Sequence, residues 1–456
     1  MRTAYILKTE TRIHPFGDPA GAAWVGGGTL AALQDEELSL AGIRPVHVNS
    51  LAGLPPVGPF LLLPDRLYVS ARCAAVFAAM VEDSGDNAML CMPRSPVTEY
   101  ARPLSSVRDV SLPAAREAVA YDLFYVGGRL PAPAGGKAGT DGVFEALAAS
   151  CARVLVRPSY SVDRLRHPNV GHRPYVTQVP VSDSIAAHVE SWVHVLWLNH
   201  VLASLVVRRA LAAKPGPVEV LRRAAVSANV PGCVVNSVVG GTLDAHPTAR
   251  IENSIVGSGA RVGARALVKD CILGDDVVVG DGTKFVNCVV GDRCNSLSDS
   301  LFVRSTFYPD ATLSNLFVRE CVVGRFAFLT TAVLCFADSH EGPVRVFHDG
   351  QMRSTGRHVL GACMGHETTL GTRAIFLPGL ALPNGCIIVM PPGEGVHKVP
   401  ATGDPAVPLV WDAGTLRPVE AVFPGYRPAD AEPAEGPGGM ARDCGGRSPP
   451  ARGRGT

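Results

Sequence analysis

The chain has 456 residues, a formal net charge of +1, and 47% hydrophobic against 18% charged residues, enough for two or three domains around a large core. No block of like charge interrupts the foldable part, which excludes electrostatic capture of nucleic acid or an anionic membrane and leaves small molecules as the expected partners. The twelve cysteines are scattered without a CxxC pair, which argues against a disulfide framework or metal and for reduced packing residues.

The chain starts MRTAYILKTETR, without the basic start, apolar run and small-residue cleavage site of a signal peptide, so a cytoplasmic protein is expected. Residues 1–180 are read as an α/β domain. Short apolar strands (AYILK, PVHVN, PFLLLP) alternate with helical stretches (LAALQDEELSLAG, SARCAAVFAAMVED), which predicts a mainly parallel sheet. Within it, residues 131–142 (PAPAGGKAGTDG) read as a flexible loop. Residues 181–226 form a linking helical segment. The run 181–213 opens on Ser and Asp as a cap and sets Ile185, Val189, Trp192, Leu196 and Leu202 near helical spacing. Its apolar core, 193–207, is short and is interrupted by His194, Asn199 and His200, so no membrane span is expected.

Residues 227–425 carry the strongest pattern. Ile251, Val256, Val262, Val268, Leu273, Val279, Phe285 and Val290, then Phe302 and Phe307, step by five, six and six, a coil of 17 residues. The segments IENSIVG, VKDCILG and FVNCVVG align, and Cys271, Cys288 and Cys321 take the small corner position held first by Ser254. One apolar side chain per step points inward and a small residue turns the backbone. This is the signature of stacked hexapeptide coils in a parallel β-helix. Val359, Met364, Leu370, Phe376, Leu382 and Ile388 resume the ladder after an insertion at 335–358 that reads as a loop rich in His, Asp, Glu and Arg. The tail, 426–456, has too little apolar surface to offset its ordering entropy and is read as disordered.

This order of domains resembles the sugar-1-phosphate nucleotidyltransferases that carry a C-terminal left-handed β-helix. The resemblance implies the left-handed winding, a nucleotidyltransferase-like α/β domain and a homotrimer. Thr11, Arg12 and Pro15 match the family's TRxxP, Gly26, Gly27, Thr29 and Leu30 its GGxPL-like stretch, and Gly42 and Ile43 its helix-ending GI. Asp65 falls at the metal-binding Asp, and Asn199 at the Asn that ends the linking helix. By resemblance, Arg12, Gly26, Gly27 and Asp65 would bind substrate, with Asp65 also holding Mg if nucleotidyl transfer survives. The sequence departs from the family where Lys8, Thr9 and Glu10 replace the glycines that approach phosphate, where Ala20 follows Pro19 in place of lysine, and where only Asp183 can be offered as a second metal carboxylate. Outside the resemblance, Arg12 is equally a strand-end partner and Asp65 a turn residue.

The β-helix also resembles trimeric acyltransferases, which implies an acyl-CoA donor between coils and a histidine that deprotonates the acceptor. Of His340, His348, His358 and His366, His366 at a coil corner is the first choice and His340 the second. Three functions stay open: acyl or related transfer on the β-helix, sugar-1-phosphate nucleotidyl transfer, and non-catalytic binding of a nucleotide sugar or a scaffold role.

Overall fold

The computed structural model describes residues 2–388, apart from 83, 133–139, 171–172, 213–232, 315–316, 332, 336, 340 and 372–374, and residues 409–424 apart from 413–414. The α/β layer is built on one sheet. Its strand order is Ala152–Leu155, Ala88–Pro93, Ala115–Val126, Phe60–Pro64, Arg2–Leu7 and Ile43–Val48, with Arg108–Leu112 added beside Ala115–Val126. Arg2–Leu7 runs parallel to both its neighbours, while Ala115–Val126 is antiparallel to all three of its own. The sheet is therefore mixed, with six of its seven strands running one way and Ala115–Val126 alone running against them. The long strand 115–126 (AREAVAYDLFYV) was not among the strands read from the sequence. Helices Leu30–Leu40 and Ala71–Met80 cover one face through Leu38, Phe77 and Ala78, and helix Thr140–Ser150 covers the other through Val143, Phe144 and Leu147. Phe60–Pro64 (FLLLP) is buried throughout, as expected of a strand covered on both faces. Helix Thr140–Ser150 takes the end of the expected loop 131–142; positions 133–139 of that loop lie outside the described residues.

The predicted linking helix begins later than its sequence suggests. Ser182 ends a strand, Ala186–His188 pairs antiparallel with Leu67–Val69, and the helix is Trp192–Ala212. Residues 192–203 are buried on every side. By length and composition this helix could cross a membrane, but it packs as a core helix. Its histidine and asparagine side chains are satisfied internally, as most buried polar groups are: His194 Nε2 meets Pro103 O at 2.8 Å, Asn199 Nδ2 donates to Trp24 O at 2.9 Å, and His200 Nε2 meets Arg304 O at 2.9 Å.

From Val234 to Ile388 the chain winds into three parallel sheets, of six, eight and eight strands, which fit a left-handed β-helix. The ten ladder residues from Ile251 to Phe307 are all buried in one core. The gap in the ladder after Val290 is filled by Ser296, a small inward residue beside the clustered rings of Phe285, Phe302 and Phe307. Asn253, Asp270 and Asn287 stack at one corner with φ of 46°, 53° and 55°, the left-handed conformation that short polar side chains tolerate best. The next residue explains the cysteines. Ser254 Oγ accepts the Cys271 N–H at 3.1 Å, and Cys271 Sγ accepts the Cys288 N–H at 3.3 Å, so this position needs a small acceptor as well as a small volume.

The middle sheet is buried on both sides. Its outward residues Ile272, Val289, Thr306, Val322 and Cys363 are covered by the α/β layer and the helix Trp192–Ala212. Both halves belong to one compact unit, Met1–Met390, so the α/β region and β-helix are not separate bodies. Two further expectations change. The ladder position assigned to Val359 is held by Cys335, paired with Phe376, while Val359 bridges Asp338 at the exit of the insertion. The insertion itself is not a plain loop but carries the antiparallel hairpin Arg345–His348 with Gln351–Ser354. The second unit, Pro391–Thr456, begins inside the range assigned to the β-helix. Its described part is the hairpin Leu409–Asp412 with Thr415–Pro418 and the short helix Val419–Val422; the expected disordered tail, 426–456, lies outside the described residues.

Candidate functional site

The parallel strands Arg2–Leu7 and Phe60–Pro64 end together, and the crevice beyond such carboxyl ends is where open α/β sheets bind ligands. Here the loop after the first strand folds back on the second. Thr9 N–H and Thr9 Oγ1 both donate to Asp65 Oδ1, at 3.1 and 2.7 Å, and Asp65 N–H donates to Leu7 O at 3.0 Å. Burial pushes the Asp65 carboxyl above its ordinary range, partly countered by the Thr9 bonds. Asp65 thus holds the loop closed from beneath. Magnesium needs a near-octahedral set of oxygens, and the residues here do not fit it. Asp183 pairs with Arg72 at 3.7 Å, and among the described residues no group of three His, Cys, Asp or Glu could hold a metal.

The neighbouring Arg66 occupies the centre of a charged cluster. Its guanidinium lies 3.2 Å from Asp122, 2.8 Å from Asp141 and 3.1 Å from Glu190. Burial opposes its charge, but the three carboxylates outweigh burial and raise its pKa. Arg108 donates to Asp122 Oδ1 at 2.6 Å. Ser106 donates to both oxygens of Glu190, through Oγ at 2.5 Å and through N–H at 2.7 Å. Buried His188 accepts the Asp122 N–H at Nε2 (3.3 Å) and faces Ser106 Oγ at Nδ1 (3.1 Å). Although burial works against its charge, Glu190 is held well below the usual carboxylate range by His188, Arg66 and Ser106.

Two adjoining cavities open above this floor and share Ser106 and Glu190. The larger, about 670 Å3, is lined by Arg66, Arg108, Asp141, Phe144 and Glu145. The smaller, about 420 Å3, lies between Glu10, Thr11 and Arg12 on one side and His348, Asp349 and Arg353 of the inserted hairpin on the other. Each falls within the size range of small-molecule clefts.

Of Arg12, Gly26, Gly27 and Asp65, the substrate-binding residues the resemblance offers, Arg12 alone lines this cleft, with Nη1 donating to Gly17 O at 3.2 Å. Asp65 lies under the loop. Gly26 and Gly27 sit elsewhere, at the turn of the hairpin Trp24–Val25 with Gly28–Thr29, both with positive φ (65° and 89°). Gly26 N–H donates to Asn199 Oδ1 at 2.8 Å, and a Cβ at Gly27 would come within 2.8 Å of Ile272 Cγ2 of the β-helix. They seat one half of the molecule on the other. His366 does not project from its corner. Its ring is stacked on Phe16 at 4.6 Å, Nδ1 accepts the Arg325 N–H at 2.9 Å, and Nε2 meets Asp18 Oδ2 at 3.1 Å. With both nitrogens engaged inside the protein, the imidazole has no free lone pair for an acceptor substrate. His340 lies outside the described residues. His358 packs edge-on against Tyr175, so His348, ranked behind His366, is the histidine of this group that reaches the cleft.

The residues the sequence did not disclose are Arg66, Ser106, Arg108, Asp122, Asp141, Glu190 and Arg353. Glu190 lies in the stretch read as helix and Asp141 in the stretch read as loop, so their convergence had no periodic signal.

Comparison with known families gives one match. The model described as GlmU-like, C-terminal hexapeptide matches residues 223–303. The match covers the early coils and none of the α/β layer, and it relates the chain in general to transferases that carry this domain. No curated protein matches the chain.

Proposed function

We propose that the chain is a transferase-related protein that binds a nucleotide sugar in the α/β cleft without carrying out nucleotidyl transfer. The carrying observation is the fate of Asp65 and its neighbour. The carboxylate is engaged by Thr9, and the adjacent three-carboxylate cluster is filled by Arg66. Phosphoryl-type transfer depends on neutralising and positioning phosphate charge, and a loop with Glu10 at its tip works against that. The engagement of both His366 ring nitrogens disfavours acyl transfer through that residue and supports a reading that puts function in the cleft. The hexapeptide coils supply rigidity and, by the resemblance, a trimer.

The test is calorimetry of the full chain with uridine diphosphate N-acetylglucosamine and with uridine triphosphate plus magnesium, alongside an assay for pyrophosphate release in the presence of a sugar 1-phosphate. Binding of the nucleotide sugar without pyrophosphate release is the expected result. Steady pyrophosphate release, or stabilisation by acyl-CoA alone, would overturn the proposal.

A further inference from the structure

We infer that the hairpin inserted into the β-helix is the wall of the cleft that reads the sugar, with Asp349 and Arg353 as specificity-determining residues and His348 as their support. The inference rests on the cleft being the nucleotide-sugar site. The hairpin is fixed at its base and not free to swing. Val344 and Val346 are buried in the core shared with the α/β layer, Thr355 Oγ1 donates to Val344 O at 2.8 Å, and a Cβ at Gly379 would come within 2.4 Å of Arg345 O. Asp349 and Gly350 turn it with φ of 47° and 76°, the paired positive values of a tight two-residue turn. This brings the nine-tenths-buried His348 to the cleft, with Nε2 3.4 Å from Asp349 Oδ2, and sets Arg353 3.7 Å from the same oxygen.

The chemistry of this lobe selects a class of group. Facing side chains are Glu10, Glu190 and Asp349 against Arg12 and Arg353, with Ser105 and Ser106 between them. Glu190 is already held by Arg66 and Ser106, so Glu10 and Asp349 stand against Arg12 and Arg353 in even number. No excess of positive charge is left for a phosphate. A ring of hydroxyls suits such a mixture, because carboxylates accept from adjacent hydroxyls and guanidinium forks donate to them. The lobe therefore suits the uncharged, polyhydroxylated end of the ligand. A segment of the β-helix would thereby complete a site on the α/β layer.

Calorimetry on the full chain with uridine diphosphate N-acetylglucosamine, uridine diphosphate and uridine triphosphate tests this. The double variant Asp349→Asn with Arg353→Ala should weaken the nucleotide sugar roughly tenfold, since hydrogen bonds to charged groups are lost, while uridine diphosphate changes by less than about twofold. Both side chains are solvent-accessible, and an unchanged melting midpoint checks that the variant folds. If the wild type binds the nucleotide sugar and the variant binds it equally well, or weakens both ligands alike, the hairpin assignment falls and the cleft reading stands. If the wild type binds neither ligand, both fall.

Discussion

Replacing Gly27 with alanine separates a packing glycine from a phosphate-approach glycine. Gly27 has φ of 89°, and its added Cβ would lie 2.8 Å from Ile272 Cγ2. A left-handed backbone costs a non-glycine residue about 1–2 kcal/mol, and forcing a methyl into a filled contact costs about 1–3 kcal/mol more. The expected loss is about 2–5 kcal/mol, read as a lower midpoint in urea unfolding followed by the fluorescence of Trp24, Trp192 and Trp197. Ile272→Ala removes the obstacle, so the double variant should lose less than the sum of the single ones, with a coupling of about 1–3 kcal/mol. Gly28→Ala is the control, because nothing lies within 4 Å of its Cβ position, and it should stay within about 0.5 kcal/mol of wild type. If Gly27→Ala keeps its stability but loses affinity for nucleotide sugar, the glycine faces the ligand and the packing argument is wrong.

Arg66→Met would leave Asp141 and Glu190 without their guanidinium and Asp122 with Arg108 alone, and should cost about 3–5 kcal/mol at neutral pH; the gap to wild type should narrow in acid, and a constant gap in urea titrations would count against the cluster. His366→Ala should lower stability by about 1–3 kcal/mol, by orphaning the Arg325 N–H and leaving the Asp18 carboxylate to Arg325 alone, yet leave nucleotide-sugar affinity unchanged; a loss of turnover with stability intact would restore it as a base. Stability should also fall in acid through the buried histidines. Burial drives the pKa of His194 down to about 4 and, with Arg304 opposite, that of His200 down to about 3, so the unfolded chain takes up protons first as pH drops below about 6.5. Each histidine should then remove up to about 1.4 kcal/mol per pH unit until its folded pKa is reached. Chemical denaturation at pH 7.5, 6 and 5 measures this, and Glu190, whose pKa is depressed, should deepen the loss only below its ordinary value of 4.5. A flat profile between pH 7.5 and 5 would mean that these histidines are not neutral and buried.

Where one coil stacks on the next, the sequence repeats its own contact partners, and there the reading succeeded. Val268 needs only Ile251 and Phe285, each 17 positions away, so a period reports the contact. Even the interruption was legible, because Met364, Leu370, Phe376 and Leu382 return to the same core. Cys335 was passed over for Val359 because the insertion starts one step later in the coil than bulk alone indicates. In the α/β layer the partners differ at every strand, and the long antiparallel strand 115–126 could not be told from a parallel one by composition. Ala186–His188 was absorbed into a helix because its apolar residues also suit helical spacing, and tertiary pairing with Leu67–Val69 decided the outcome.

The candidate site was harder to read for a related reason. In the middle sheet Ile255–Val256, Ile272–Leu273, Val289–Val290 and Val322–Val323 are apolar doublets, as suits strands buried on both faces. Doublets alone do not report the cover of this face, because Phe328–Leu329 and Ile387–Ile388 of the next sheet leave Phe328 and Ile387 exposed. Once the middle sheet is covered, residues that resemble nucleotide-binding positions acquire partners far along the chain: Gly26 with Asn199, Gly27 with Ile272, and His366 with Asp18 and Phe16. The same docking brings Arg353 and His348 of the β-helix beside Arg12. One packing event thus withdraws three expected site residues from the ligand and supplies two others in their place.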